Sequence, residues 1–328
     1  MLTDGLPRVR LAHLPTPLEP LPRLSGELGG PQIWIKRDDQ TGLATGGNKA
    51  RKLEFLVAEA LERGATTLIT AGAPQSNHAR QTAAAAAKSG LRAILVLGGG
   101  PPSQARQGGN VLIDRLLGAE LRWAEGRDRA AVMEEVADEE RSAGRSPYVV
   151  PYGGSNPVGA RGYVLALEEL AGQLGERSLK MDHIVFATSS GGTQAGLGLA
   201  AKALDLPIRI LGISVDKEAG GLQAALAGLA GATAARMGLD LTFTPQEFLV
   251  DDAYCGAGYG NVTEAEKEAI GILARTEGIL ADPVYTGRAL AGLIDLIRRG
   301  AFQPQETVCF WHTGGAPGLF AYGEALLS

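Results

Sequence analysis

The sequence predicts an α/β protein built of two open, parallel-sheet α/β domains. Short apolar runs alternate with amphipathic or alanine-rich helical stretches along nearly the whole chain, the pattern of parallel strands covered by helices on both faces. The 46 glycines in 328 residues are about twice the usual frequency, and they cluster in short loops directly after the apolar runs. A chain of 328 residues is long enough for two domains of ordinary size. The alternation divides into two blocks with boundaries near residues 47 and 159.

Taken in order, the chain opens on a Pro-rich lead (Pro7, Pro15, Pro17, Pro20, Pro22). A short strand follows at Gln32–Lys36, then the charged turn Arg37-Asp38-Asp39. Gly46-Gly47-Asn48 ends a loop, and the apolar residues Leu53, Leu56, Val57, Ala60 and Leu61 then fall at a helical period until Gly64 stops them. The first block continues as strand 66–70, helix 77–88, strand 92–97, helix 110–117, strand 120–123, helix 128–143 and strand 148–151. The strand at 92–97 is closed by three glycines, Pro101 and Pro102. Pro151 to Pro157 reads as a boundary loop. The second block is helix 159–174, strand 183–187, helix 194–203, strand 209–215, a helical region 220–238, helices 263–277 and 288–298, and a last strand 307–311. Thr263 and Glu266 form a capping-box pattern.

Composition removes several function classes. A net charge of −5 with no Lys/Arg stripe argues against nucleic acid and anionic membranes as partners. Two cysteines far apart, Cys255 and Cys309, exclude a cysteine-based metal site, so no metal is expected, and they fit a reducing compartment. Residues 1–10 carry prolines and charges without an apolar signal core, and no run approaches the ~20 apolar residues of a membrane span. The expected location is the cytoplasm.

Three polar helix starts carry the candidate chemistry. Lys49 falls in the first turn of its helix, beside Arg51 and Lys52. The positive end of the helix dipole and the neighbouring cations both disfavour its ammonium form. A lysine that works as a free amine, as a Schiff-base former or proton carrier, explains the arrangement; an ordinary surface lysine is the alternative. The loop Thr188–Thr193 joins a strand to a helix through small residues, which frees backbone N–H groups for an anion, most often phosphate. The alternatives are an empty tight turn and a nucleotide fingerprint with Asp216 as the ribose acid, although the G-x-G-x-x-G spacing is missing. Gln75-Ser76-Asn77-His78 opens the alanine-rich helix and offers amides to a carboxylate, or a plain N-cap. In a parallel sheet such starts collect at the carboxyl edge, where ligands bind. Two further loops, around Tyr285 and at His312-Thr313-Gly314-Gly315, are polar. Tyr285 reads as proton donor or packing tyrosine, Thr313 as hydrogen-bond partner or strand cap, and His312 as catalytic or structural.

Together, Lys36-Arg37-Asp38-Asp39, Gly46-Gly47-Asn48-Lys49 through Glu54, Gln75–His78, Gly192-Thr193-x-Ala195-Gly196, Tyr285 and His312–Pro317 resemble the D-cysteine desulfhydrase and 1-aminocyclopropane-1-carboxylate (ACC) deaminase family. These are pyridoxal-phosphate enzymes of fold type II, the tryptophan synthase β-like fold. The resemblance implies a large cofactor-binding domain at 1–47 and 160–328 and a small substrate-carboxylate-binding domain at 48–159. Lys49 would carry pyridoxal phosphate as a Schiff base and move the substrate Cα proton. Ser190, Gly191, Gly192, Thr193, Ala195 and Gly196 would hold the phosphate. Ser76, Asn77 and His78 would receive the substrate carboxylate, and Asn77 would also approach the cofactor phenolate. Tyr285 and Tyr259 would lie near the reacting carbon and leaving group, and Ser76 is counted with them as catalytic. Thr286 and Thr313 stand where ACC deaminases carry Glu and Leu, the desulfhydrase pattern, with threonine as a neutral partner near the pyridine nitrogen. The implied reaction converts D-cysteine to pyruvate, ammonia and hydrogen sulfide. L-cysteate sulfo-lyase and ACC deaminase are the alternatives on the fold, and a nicotinamide-dependent oxidoreductase is the alternative from another class. A homodimer acting on a small amino acid is implied as well. The chain departs from the family pattern at Gln194 and at Cys255–Gly258.

Overall fold

A computed structural model describes residues 1–101, 108–256 and 258–327; Pro102, read above as closing a strand, and Ala257, within the stretch that departs from the family pattern, lie outside them. In chain order the first elements are β1 (Leu18–Pro20), α1 (Pro22–Leu28), β2 (Gln32–Arg37) and α2 (Lys49–Glu62). They are followed by β3 (Thr67–Gly72), α3 (Asn77–Lys88), β4 (Arg92–Leu97), α4 (Asn110–Leu116), β5 (Glu120–Trp123), α5 (Arg129–Ser142) and β6 (Pro147–Val149). Next come α6 (Pro157–Arg177), β7 (His183–Thr188), α7 (Gly192–Ala203), β8 (Arg209–Ser214), α8 (Ala219–Arg236) and β9 (Leu249–Asp251). The chain ends with α9 (Glu264–Glu277), α10 (Thr286–Arg298), β10 (Thr307–His312), α11 (Ala316–Leu319) and α12 (Gly323–Leu327).

The strands form two sheets. One has six strands in the order β1-β2-β10-β7-β8-β9, and the other has four in the order β5-β4-β3-β6. Only the β1–β2 pairing is antiparallel among the described residues. The sequence therefore reads correctly as α/β with two parallel sheets. Central strands β3, β7 and β10 are buried along their whole length, which explains their unbroken apolar runs. The four-stranded sheet takes its strands from residues 67–149, and the six-stranded sheet takes them from either side of that stretch.

The elements not anticipated are short. β1 and β9 have three residues each, and α1 has seven with Pro22 at its start. Such pieces contain less than two helical turns or one strand alternation, so periodicity has nothing to register. α6 is longer than expected because Asn156 caps it and Pro157 provides its first residue. The Thr263/Glu266 capping box forms as read.

What positions the site is a buried ionic network beneath α2. Arg51, wholly buried, donates from Nε and Nη2 to Asp38 (2.8–3.0 Å) and from Nη1 and Nη2 to Glu169 of α6 (3.0 and 2.9 Å). Lys36 of β2 joins Glu169 at 2.6 Å, and the Tyr163 hydroxyl of α6 donates to Asp38 at 2.6 Å. Burial by itself would raise the Asp38 carboxyl, but Arg51 and Lys36 hold it below the usual carboxylate range. The charge run Lys36–Asp38 is thus an anchor for the lysine helix. α2 and α6 meet closely at Gly162, where a Cβ would lie 2.4 Å from the Arg51 carbonyl oxygen.

Replacing Arg51 with Met strands two carboxylates, one of them fully buried. The expected loss is about 3–5 kcal/mol of folding stability, read as a lowered urea midpoint. An unchanged midpoint would show that the network does not hold the helix.

Candidate active site

The carboxyl ends of β3, β7 and β10 converge on one pocket that contains Lys49, Ser76, Asn77, His78, Ser190, Gly191, Thr193, Tyr285 and Thr313. Five stretches remote in sequence thus meet at one place. Lys49 is the first residue of α2, and the backbone before it explains its position. Gly46 has φ 74° and a Cβ there would lie 1.9 Å from the Asp39 carbonyl oxygen, so only glycine fits. Asn48 then ties three elements: its N–H donates to the Thr313 carbonyl (2.9 Å), its Nδ2 to Thr193 Oγ1 (3.1 Å), and its Oδ1 accepts from Lys49 Nζ (3.0 Å).

Burial lowers Lys49 to about 8, with Arg80 adding to the effect and Asp282 opposing it. The depressed amine expected from sequence is present, but its cause differs. Arg51 is drawn into the Asp38–Glu169 network and takes no part. The neighbouring cation is Arg80, one turn into α3.

At α7 the backbone turns at Gly191 (φ 87°). The Gly192 N–H donates to Ser155 Oγ (3.0 Å), which in turn donates to Ser190 Oγ (2.8 Å). Lys52 reaches the same place, donating to the Gly153 carbonyl (3.1 Å) and Ser155 Oγ (3.2 Å). It is 1% exposed and has no acidic partner among the described residues. Burial and the charge of Lys49 push it well below the ordinary lysine value. Thr188 Oγ1, also lining the pocket, is buried without a partner among the described residues. Free N–H groups at a helix start, two hydroxyls and an uncompensated buried lysine are the donor set that a phosphate needs. The site fits the phosphate of pyridoxal phosphate. Sequence reasoning treated Lys52 only as a neighbour of Lys49; the i, i+3 spacing that puts both on one helix face was the available signal. Ala195 and Gly196 do not reach the pocket. Ala195 packs with Leu222 and Phe248, and Gly196 lets α7 approach the Ala160 carbonyl of α6.

At α3, Ser76 is the N-cap and its Oγ accepts from the Ala79 N–H (3.2 Å). Asn77 Oδ1 is held by Arg80 Nη1 and Asn110 Nδ2 (3.2 and 3.1 Å), whereas its Nδ2 makes no hydrogen bond among the described residues. For His78 the network decides the tautomer. Thr70 Oγ1 donates to the Val150 carbonyl (2.9 Å), so at 2.8 Å it accepts from His78 Nε2–H. Nδ1 is then an acceptor, buried without a hydrogen-bond partner among the described residues. Burial and the two lysines keep the ring neutral. The His78 side chain therefore repels a carboxylate; its backbone N–H, in the first turn of α3, can still donate to one.

Tyr285 lines the pocket and its hydroxyl meets that of Tyr259 at 2.9 Å, with the rings edge-to-face at 5.8 Å. Tyr259 itself stands behind Tyr285, outside the pocket lining. Burial raises both phenols well above their usual value, so at neutral pH they donate protons. Asp282 fixes this loop: it accepts from the N–H groups of Val284, Tyr285 and Thr286 (2.9–3.0 Å) and from the Thr286 hydroxyl (2.7 Å). Thr286 Oγ1 also accepts from the Asp282 N–H (2.8 Å). With its hydroxyl committed to Asp282, Thr286 is not a pocket group, contrary to expectation; Thr313 is. His312 is structural, donating from Nε2 to the Leu280 carbonyl (2.9 Å) and accepting at Nδ1 from the Gly314 N–H (3.1 Å).

Two open parallel sheets sharing a pocket with a depressed lysine, a helix-start anion cradle and a second helix start for a carboxylate define the class of pyridoxal-phosphate enzymes. Residues 9–314 match the pyridoxal-phosphate dependent enzyme family, and the chain belongs to it. Pyridoxal phosphate is therefore the cofactor, and the nicotinamide alternative lapses. Among its relatives is a D-cysteine desulfhydrase of Klebsiella pneumoniae, 44% identical over 96% of both chains. Another is a putative 1-aminocyclopropane-1-carboxylate deaminase of Pyrococcus horikoshii, 44% identical over 100% of this chain and 97% of that one. The crystal structure of an ACC deaminase homologue superposes with a TM-score of 0.90 at 42% identity, covering 99% of this chain and 97% of the other.

Because Lys49 stands at about 8, its free-amine fraction rises as pH climbs through that value, far below the ordinary lysine range. Capture of pyridoxal phosphate by the apo-protein should accelerate with a midpoint near pH 8, followed as a borohydride-stable adduct, and Lys49→Ala should form none. A midpoint above pH 10 would show that the pocket does not tune the lysine.

Proposed function

We propose that this chain is a D-cysteine desulfhydrase, a carbon–sulfur lyase that converts D-cysteine and water to pyruvate, ammonia and hydrogen sulfide. The observation that carries the reading is Tyr285, hydrogen-bonded to Tyr259, in one pocket with a depressed lysine: a protonated phenol for the departing sulfur and a free amine for the Cα proton. The similarity to Klebsiella D-cysteine desulfhydrase supports it.

Pyridoxal phosphate, when bound, supplies the electron sink that stabilises negative charge at Cα. Ser190, Gly191, Gly192, Thr193 and Lys52 hold its phosphate, and Thr313 offers a neutral hydroxyl to its ring. Asn77 Nδ2 is free to donate to the phenolate. The substrate carboxylate docks at the start of α3, on Ser76 and the backbone of Asn77 and His78. Lys49 Nζ takes the Cα proton as a neutral amine. The Tyr285 hydroxyl, with Tyr259 behind it, protonates the sulfur as the Cβ–S bond breaks. Tyr152 borders the pocket with the Arg129 guanidinium 5.6 Å from its ring centroid.

In this reading residues 1–47 and 160–328 form the cofactor-binding domain and residues 48–159 the domain that grips the carboxylate. The enzyme works in the cytoplasm as a homodimer; its cysteines, both unpaired, suit a reducing compartment.

ACC deamination is the second reading, favoured by the Pyrococcus relative and the solved homologue. Against it stand Thr286 and Thr313, in the places where ACC deaminases carry Glu and Leu; a neutral residue in place of the Glu leaves the ring less electron-withdrawing than an acid would. Thiolate is a good leaving group and needs less stabilisation than opening a cyclopropane ring.

Sulfide and pyruvate should appear in equal amounts from D-cysteine, with L-cysteine, L-cysteate and ACC run alongside. 2-Oxobutyrate from ACC as the main product would overturn the assignment in favour of the second reading, and sulfite from L-cysteate would point to sulfo-lyase activity. Tyr285→Phe should lower kcat by about 100-fold or more with KM changed little; an unchanged kcat removes Tyr285 as the acid.

A further inference from the structure

Arg80 is the cation beside Lys49 and a donor to Asn77, and it is wholly buried there. Its Nη2 donates to the Gly46 carbonyl (2.7 Å), three residues before Lys49. Its Nη1 donates to Asn77 Oδ1 (3.2 Å) and to Asn110 Oδ1 (2.9 Å) at the start of α4. No carboxylate among the described residues lies within ion-pair distance, and Nε–H has no partner. The acids that attract it, Asp114 and Asp282, make no hydrogen bond or ion pair with it among the described residues. Both oxygens of buried Asp114 lack hydrogen bonds among the described residues, and Asp282 directs its carboxylate to the Tyr285 loop. Burial raises Asp114 to about 7, which weakens it further as a counter-charge. Burial lowers Arg80 only to about 10, so it stays a cation at neutral pH.

A buried, unpaired cation is unfavourable, and one near a helix start opposes the dipole as well. Both penalties fall when an anion arrives at that helix start. We propose that Arg80 is the buried cation of the substrate-carboxylate subsite, a positioning residue that fixes the α3 turn against the lysine loop through Asn77 and Gly46. The proposal rests on the carboxylate docking at Ser76–His78. Arg80 does not touch the substrate; it orients Asn77 and adds long-range attraction in a low-dielectric wall. Because it also bonds the Gly46 carbonyl, the carboxylate grip and the amine are held in one frame. Asn110 extends that frame to α4: its N–H donates to Gln75 Oε1 and its Nδ2 to the Gln75 carbonyl, both at 2.8 Å.

The test is equilibrium binding to the holoenzyme, read from the visible spectrum, of D-alanine and of ethylamine. Neither carries a β leaving group, and ethylamine is D-alanine without its carboxylate. Arg80→Met should weaken D-alanine about tenfold, as loss of charge-assisted hydrogen bonding predicts, and leave ethylamine within about twofold. Arg80→Lys keeps the charge but cannot span three acceptors; it should fold even if Arg80→Met does not, and weaken D-alanine by about threefold or more with ethylamine unchanged. Equal weakening of both ligands, or no change in either, would overturn the proposal. Ser76→Ala separates the two layers. If it too binds D-alanine like the wild type, the carboxylate docking itself is wrong. If it weakens D-alanine selectively while the Arg80 variants do not, only the role of Arg80 falls.

Discussion

The buried contact between Arg51 and the carboxylates of Asp38 and Glu169 is the constraint on which the site depends. Arg51 lies two residues past Lys49 on α2, so its side chain points away from the pocket, into the layer between α2, α6 and the turn after β2. A planar, five-donor guanidinium can satisfy two carboxylates at once in fixed geometry. α2 is therefore held in both rotation and height, and the amine of Lys49 inherits that precision. The same turn after β2 shapes the left-handed loop at Gly46, because the Asp39 carbonyl fills the space where a side chain would be. Anchor and active lysine are two faces of one helical turn.

Above the anchor, the pocket is built as an excess of buried positive charge. Lys49 lines it with Lys52 and Arg80 buried beside it; Asp282 is the acid set against Lys49, and Asp114 and Asp282 are the acids set against Arg80. Asp282 is largely committed to backbone N–H groups, so it braces the Tyr285 loop more than it neutralises the cations. The cofactor phosphate and the substrate carboxylate are the anions such a site lacks. Both arrive at helix starts, α7 and α3, where backbone N–H groups are unsatisfied. The surrounding apolar cores keep these groups out of water, which is what depresses the lysines and raises the tyrosines. The same burial thus yields an amine able to accept a proton and a phenol able to donate one.

Much of this was readable from the chain. Long strands and helices followed their periodicity, and α3, β4 and β5 fall where the pattern put them. The glycine-flanked lysine, the Ser76 cap and the small-residue loop before α7 were visible because each is a local device with its own sequence signature. Roles that depend on partners from elsewhere were not visible. Lys52 and Arg80 look like ordinary helix cations until α6, α7 and α4 close around them. Thr286 looked like a pocket group by its place in the chain, but a neighbouring carboxylate takes its hydroxyl. His78 looked like a carboxylate ligand until the hydrogen-bond chain through Thr70 and Val150 turned its free nitrogen into an acceptor.

By itself, then, the sequence determined the α/β class, the two parallel sheets, and the helix starts that carry the lysine, the anion loop and the carboxylate turn. Those follow from short-range terms: the hydrophobic period, glycine's freedom at positive φ, and capping. Only the tertiary structure decided which cations are uncompensated, which tautomer His78 adopts, and which threonine faces the ligand. Those are settled by contacts between residues dozens of positions apart, where burial removes water and leaves each polar group with only the partners the fold provides.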